Sequence, residues 1–331
     1  MKKLLFLLVA FGLLIVNSVF AQEETLPPQE LADPDGAFIT LDGVEFYYIA
    51  RGDESAPTII LLHGFGGSTF TWRDTIDVLV EVGYRVVAYD RPPFGLSDKT
   101  AGLDLSPATQ ADQAIALMDA LNITSATFIG HSAGGGVISF IATQYPDRVD
   151  ALIFVAGAVA VPSTNPEATP DANRGGSPIG SIGEMASNLD PNNPIAQNLV
   201  RQFLTPERFV GILISAYHPS FEVTQDIRDG YARVLRVNGW EAGLISLFQA
   251  REGGLSLDFD KFAEFDKPIL IIWGEDDTWV PPSRGEAIHT FFPQSQLITY
   301  PAVGHMAMEE ATEQFNADVM TFLSTVYLTK E

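Results

Sequence analysis

Ala126-Thr127-Phe128-Ile129-Gly130-His131-Ser132-Ala133-Gly134-Gly135-Gly136 begins as a short apolar run and breaks abruptly into glycines around a serine. Residues 125–129 read as a buried strand and residues 133–145 as a helix, which puts Ser132 on the bend between them. Gly130 to Gly134 satisfy the pattern G-x-S-x-G. A bend this sharp would drive side chains at positions 130 and 134 together, and glycine removes the collision. The hydroxyl is left at the carboxyl end of the strand, beside the Ala133 amide at a helix N-terminus that favours negative charge. That is a nucleophile beside half of an oxyanion hole. With 28 glycines in 331 residues the pentapeptide alone would recur by chance in roughly one such chain in ten, so its weight depends on finding a base and an acid to match.

Outward from this stretch the chain alternates. Upstream, Phe38–Thr40 and Val44–Ala50 flank Asp42-Gly43, the signature of a tight hairpin. Thr58–Leu62 is a β-branched run that reads as a strand buried on both faces. Residues 70–82 carry helical spacing, residues 85–88 read as another buried strand, and residues 107–121 read as a helix capped by Ser106 with Pro107 at its first position. Downstream, residues 151–155 are a further strand. Strand and helix alternating through short connections predict a mostly parallel α/β sheet covered on both faces, with the carboxyl ends of its strands on one edge.

The rhythm stops near Val161. Residues 162–195 are crowded with Pro, Asn, Ser and Gly, and only helical patterns appear up to about Phe262. Strand character resumes at Pro268–Gly274, followed by a helix over 283–292, a strand over 296–300 and a closing helix from about Met308. About a hundred residues therefore sit between two strands, as a helical lid over the carboxyl edge. The organisation expected is a core over 37–160 and 263–331, a cap over 161–262, and an extended, mobile lead-in over 22–36.

Met1-Lys2-Lys3, an apolar run over 4–16 and small residues before Gln22 have the three regions of a secretory signal, with cleavage after Ala21. The expectation is export to the periplasm or the medium; an uncleaved N-terminal membrane anchor is the alternative. The chain has no cysteine, which excludes disulfides, thiol chemistry and lipid attachment at the cleavage site. Its net charge is −23 although only 18% of residues are charged, so Lys and Arg are scarce. Such a surface repels nucleic acid and anionic lipid, and a small-molecule substrate is the partner expected. The five histidines show no paired ligand spacing and no phosphate-binding glycine motif occurs, so neither metal nor cofactor is expected.

A serine nucleophile needs a base. His305 lies directly after the last strand, on the active edge; His218, in the lid, is its rival. His63 sits among glycines where its backbone matters more than its ring, and His131 occupies the variable position of the elbow. An acid to orient the imidazole would sit at a neighbouring strand end, where Glu275, Asp276 and Asp277 follow a buried strand. The chain order of Ser132, this acidic cluster and His305 is that of a serine, acid and histidine triad on an α/β sheet.

Taken together, His63–Gly67, Asp90–Asp98, Gly130–Gly135, Gly274–Pro281 and Gly304-His305 resemble the α/β-hydrolase superfamily, in its lidded branch of esterases, lactonases, carbon–carbon bond hydrolases and cofactor-free haloperoxidases. The resemblance runs from about residue 38 to the C-terminus and implies an eight-stranded, mostly parallel sheet with the cap inserted after the sixth strand. In the family's Gly-x-x-Asp-x-x-x-Pro loop the acid falls on Asp277, with Asp276 the runner-up. The Phe65 amide would complete the oxyanion hole with that of Ala133. Pro93 stands where the family's turn usually has glycine. The serine nucleophile disfavours the aspartate-dependent dehalogenases and epoxide hydrolases.

The function this implies is hydrolysis of an ester or lactone of a small to medium apolar substrate through an acyl-enzyme on Ser132. Perhydrolysis or carbon–carbon cleavage on the same triad, and a noncatalytic ligand binder, are the alternatives. Among the lid aromatics, Phe203, Phe209, Tyr217 and Trp240, together with His131 below them, are the pocket candidates.

Overall fold

The computed structural model describes residues 25–159, 161–162, 183, 186–250 and 257–327. The expected leader over 1–21 and most of the Pro- and Gly-rich start of the cap lie outside the described residues. Eight strands, β1 (Gly36–Leu41), β2 (Val44–Arg51), β3 (Thr58–Leu62), β4 (Arg85–Tyr89), β5 (Ala126–His131), β6 (Val149–Val155), β7 (Ile269–Gly274) and β8 (Gln296–Tyr300), form one sheet in the order β1-β2-β4-β3-β5-β6-β7-β8. β2 pairs antiparallel with β1 and with β4, and every other pairing is parallel. The hairpin turns on Asp42 (φ 51°) and Gly43 (φ 82°), both left-handed as a two-residue turn of this type requires.

Among the described residues eleven helices accompany the sheet: α1 (Arg73–Glu81), α2 (Pro107–Ala120), α3 (Ala133–Gln144), α4 (Pro194–Phe203), α5 (Pro206–Ile214), α6 (Gln225–Ala232), α7 (Trp240–Ala250), α8 (Phe259–Ala263), α9 (Ser283–Phe291), α10 (Ala307–Glu310) and α11 (Thr312–Tyr327). Ser106 caps α2 by accepting from the Thr109 amide. The central strands look continuously apolar in sequence yet sort by alternation into two layers. Ile59, Leu61, Ile129, Ile153 and Ile272 pack against α1 and α11, while Ile60, Leu62, Phe128, Phe154 and Ile271 pack against α2, α3 and α9. Burial on both faces is what a parallel sheet between two helical layers demands, at about 1.5–3 kcal/mol for each large side chain removed from water.

Helices α4 to α8 are inserted between β6 and β7. Phe209, Leu213, Tyr217, Tyr231, Trp240 and Phe248 of this excursion belong to the same apolar cluster as Ile129, Ile153 and Ile272, so the cap shares its core with the sheet. Over residues 25–36 the lead-in makes specific contacts with the cap. Leu26 bridges to Val237, with its amide donating to the Arg236 carbonyl at 2.7 Å, and the two Arg233 Nη atoms donate to the Asp33 carboxylate at 2.7 and 2.8 Å. Asp33, accepting also from the Tyr47 hydroxyl at 2.8 Å, supplies the cap with an anionic partner that its Pro-rich surroundings in sequence concealed. No helix among the described residues is long and apolar enough to cross a membrane.

Candidate active site

Ser132 has φ 49° and ψ −119°, a conformation that ordinary residues avoid and that the surrounding packing enforces. Its amide donates to the Val155 carbonyl at 3.0 Å, while its carbonyl accepts from the Gly135 and Ala158 amides at 2.8 Å. The neighbouring glycines are steric necessities. A Cβ on Gly130 would stand 2.7 Å from the Gly134 carbonyl oxygen, and one on Gly134 would stand 2.5 Å from the Leu62 oxygen. Ala133 begins α3 at the next position. The loop after β3 comes so near the elbow that a Cβ on Gly64 would lie 2.9 Å from the Ser132 Cβ.

His305 follows β8 and is 1% exposed. Its Nδ1 donates to Asp277 Oδ2 at 2.7 Å, and Asp277 Oδ1 accepts from the Trp279 and Val280 amides at 2.8 and 2.9 Å. The carboxylate is thus fixed by the loop that carries it and aimed at the ring. With Nδ1 donating, Nε2 is the basic nitrogen of the neutral imidazole. That atom is buried without a hydrogen-bond partner among the described residues, and His305 lines the same cavity as Ser132. No Ser132 Oγ to Nε2 hydrogen bond is formed, and such bonds commonly tighten only with substrate in place. Asp276 instead has an exposed side chain 3.7 Å from His218 Nε2, and the His218 Nδ1 meets the Ser220 hydroxyl at 2.7 Å. The runner-up acid and the rival base lie together at the surface, apart from the serine.

The other two buried imidazoles are structural neighbours. His63 Nε2 accepts from the Arg91 amide at 2.9 Å and Nδ1 donates to the Gly64 carbonyl at 2.8 Å. Burial, then the Arg91 charge, holds its pKa well below 6.5. His131 Nε2 donates to the His305 carbonyl at 3.1 Å, with the two rings 4.7 Å apart. Burial first and His305 second keep His131 neutral as well. Beside His305, the Trp279 ring stacks at 5.6 Å.

Two narrow cavities lie between sheet edge and cap, with empty volumes of about 340 and 350 Å³ that include their open mouths. The first joins Ser132, His131 and His305 to Phe65, Thr71, Leu213, Tyr217, Tyr231, Trp279 and Met306. The second is lined by Phe94, Lys99, Phe209, Leu235, Trp240 and Leu244. Of the pocket candidates, His131 and Tyr217 line the serine's cavity, and Phe209 and Trp240 line its neighbour. Phe203 does neither: at the end of α4 it is 45% exposed, with the Arg208 guanidinium over its ring at 5.4 Å. Its helix turns Val200 inward and leaves Phe203 on the outer face. Sequence reasoning passed over Trp279, Thr71 and Met306. Trp279 and Met306 were signalled by adjacency to Asp277 and His305, whereas nothing in the pattern around Thr71 marks it.

The profile of the alpha/beta hydrolase fold family matches residues 57–312. The chain belongs to that family. Among its relatives, an uncharacterised hydrolase of Bacillus subtilis is 25% identical over 86% of this chain and 96% of its own. A bifunctional esterase/perhydrolase of Acinetobacter calcoaceticus is 26% identical over 87% of this chain and 99% of its own. A solved meta-cleavage product hydrolase superposes with a TM-score of 0.69 at 25% identity, covering 88% of this chain and 98% of its own. The chain is an alpha/beta hydrolase, with a cap and a Ser132, His305 and Asp277 constellation at the edge where this family's sheets end.

Proposed function

We propose that the protein is an exported serine hydrolase that cleaves a carboxylic ester or lactone of a small to medium, largely apolar substrate through an acyl-enzyme on Ser132. The observation that carries this reading is the pairing of Asp277 with His305 Nδ1, which leaves Nε2 buried and without a partner among the described residues, on a ring that lines the same cavity as Ser132. His305 takes the Ser132 proton as the alkoxide attacks the carbonyl carbon, and Asp277 stabilises the resulting imidazolium. The Phe65 and Ala133 amides are assigned to the oxyanion, at about 3–4 kcal/mol per donor. His305 then returns the proton to the leaving alcohol and activates the water that releases the acid. The cavity walls of Phe65, Leu213, Trp279 and Met306 favour an apolar acyl group.

Perhydrolysis and carbon–carbon cleavage are the second reading, favoured by the esterase/perhydrolase and meta-cleavage relatives. The discriminating experiment runs p-nitrophenyl esters, lactones, meta-cleavage dienones and a peroxide halogenation assay side by side on wild type and Ser132→Ala. Ester or lactone turnover that Ser132→Ala lacks supports the proposal; turnover confined to dienones or peroxide selects the second reading. Export rests on the leader-like residues 1–21. N-terminal sequencing of the protein from cell fractions should find Gln22 first, and a mature chain retaining Met1 would contradict cleavage.

A further inference from the structure

One wall of the serine's cavity carries a polar array that the hydrolytic steps do not use. Glu309 on α10 is 5% exposed, and its carboxylate gathers donors from both layers of the molecule. Oε2 accepts from Arg73 Nη2 at 2.7 Å and from the Tyr217 hydroxyl at 2.8 Å, while Oε1 accepts from the Tyr231 hydroxyl. A phenol has one proton. Because Tyr231 gives its proton to a carboxylate, its oxygen is the acceptor for the Thr71 hydroxyl 3.3 Å away, and the Thr71 proton is committed in turn. Thr71, Tyr217 and Tyr231 all line the cavity, whereas Arg73 does not. The Arg73 guanidinium is occupied on the far side by the Phe70 carbonyl at 3.1 Å, by Asp74 and by the Phe70 ring beneath it.

The consequence is a wall of one hydrogen-bonding sense. Every hydroxyl proton of the array runs toward Glu309, so the cavity meets oxygen lone pairs backed by the buried carboxylate that Arg73 pairs from its far side. No Lys or Arg is among the residues lining this cavity. A carboxylate set against this wall, away from the Phe65 and Ala133 amides, would lose its hydration and meet only the lone pairs of the Thr71 and tyrosine oxygens, which is unfavourable. A neutral hydroxyl or amide would donate to the Thr71 or tyrosine oxygens.

We propose that the Thr71, Tyr231, Tyr217 and Glu309 array is the specificity wall of this site, accepting a hydrogen bond from a neutral donor on the substrate and rejecting a carboxylate at the same place. The substrate class narrows to uncharged esters or lactones that carry a hydroxyl or amide group, and half-esters of dicarboxylic acids are excluded. This rests on the serine-hydrolase reading above.

The test uses isosteric pairs. p-Nitrophenyl esters of six- and eight-carbon acyl chains ending in a primary amide or in a carboxylate are compared by kcat/KM on the purified full chain, with the methyl-ended ester as reference. Wild type should prefer the amide-ended ester over the carboxylate-ended one by tenfold or more. Thr71→Val should lower the amide-to-methyl ratio about tenfold, and Glu309→Gln should raise the carboxylate-to-methyl ratio about tenfold. Ratios within one enzyme preparation cancel any loss of folded protein. Amide and carboxylate esters turned over equally by wild type would overturn the proposal. So would ratios unmoved in both variants beside a lowered Tm, since the array would then only hold cap to core. Absence of all ester turnover together with absence of any adduct on Ser132 removes the hydrolase reading itself, and the specificity wall with it.

Discussion

Asp277 and Asp276, two adjacent carboxylates of the same chemistry, stand in different surroundings. Asp277 is 5% exposed and bonded to His305 and to two amides, whereas Asp276 faces solvent. Asp277→Asn should therefore lower kcat on a p-nitrophenyl ester by about 10³–10⁴-fold, because the amide leaves the imidazole in the wrong tautomer. Asp276→Asn should stay within about twofold, since surface substitutions away from special features are nearly neutral. Equal losses from the two changes would contradict the assignment. The elbow glycines belong to the same scale. Gly134→Ala forces a Cβ to within 2.5 Å of the Leu62 carbonyl oxygen, and a backbone atom cannot swing aside. Urea unfolding should show a loss of about 1–3 kcal/mol, as for overpacking elsewhere. The buried imidazoles give a pH signature. His63 is held neutral in the fold, while an unfolded imidazole takes up a proton below about pH 6.5. The unfolded state then binds more protons, so stability falls as pH drops below that point, by about 1.4 kcal/mol per pH unit for each such histidine. Burial raises the pKa values of Asp90 and Glu309, which act in the opposite sense, so the comparison with a variant is the informative one. His63→Gln should reduce the slope of unfolding free energy by about half a proton's worth at about pH 6.5, rising toward one proton's worth at about pH 5.

At the scale of elements, the cap and the base's loop are joined by backbone. The His305 amide donates to the Ala216 carbonyl at 2.7 Å, and Glu310 accepts from the amides of His218, Gly304 and Met306 at 2.7, 3.0 and 3.0 Å. A single carboxylate thereby fixes the cap segment after α5 to the residues on either side of His305. Glu310→Ala should speed hydrogen exchange at those three amides and lower kcat about 10- to 100-fold through misplacement of the imidazole. Unchanged exchange there would show that the cap is held by other means. The same scale explains what the sequence could and could not reveal. β3, β5, β7 and β8 were legible because short apolar runs end in glycine or in chemistry-bearing residues, and the strand-order rules then put Leu62, His131, Gly274 and Tyr300 at one edge. The pocket wall was not legible, because an apolar residue in a cap helix reads the same whether it faces the sheet, as Leu213 does, or solvent, as Phe203 does. Thr71 and Glu309 are 238 positions apart, and no local pattern announces that two cap tyrosines will join them.

Across the whole molecule, the apolar cluster continues from the sheet into the cap, and the lead-in is tied to the cap by Leu26 and Asp33. Cap and core should therefore unfold in one transition, with calorimetric and van't Hoff enthalpies in agreement. Two resolved transitions would show the cap to be an independent unit. A net charge of −23 with few cations to offset it adds self-repulsion to the folded state. Raising ionic strength from about 0.02 to 0.5 M shortens the screening length several-fold and should raise Tm. A Tm that falls with added sodium chloride would indicate that the paired carboxylates at Arg73 and Arg233 outweigh the general repulsion. The central claim is that Ser132 is the nucleophile, with His305 and Asp277 behind it. Intact-mass spectrometry of the protein mixed briefly with a p-nitrophenyl ester and quenched in acid tests it most directly. The account predicts a single added acyl group mapping to Ser132, its disappearance with time, and its absence in Ser132→Ala; ester turnover that persists undiminished in Ser132→Ala would contradict it.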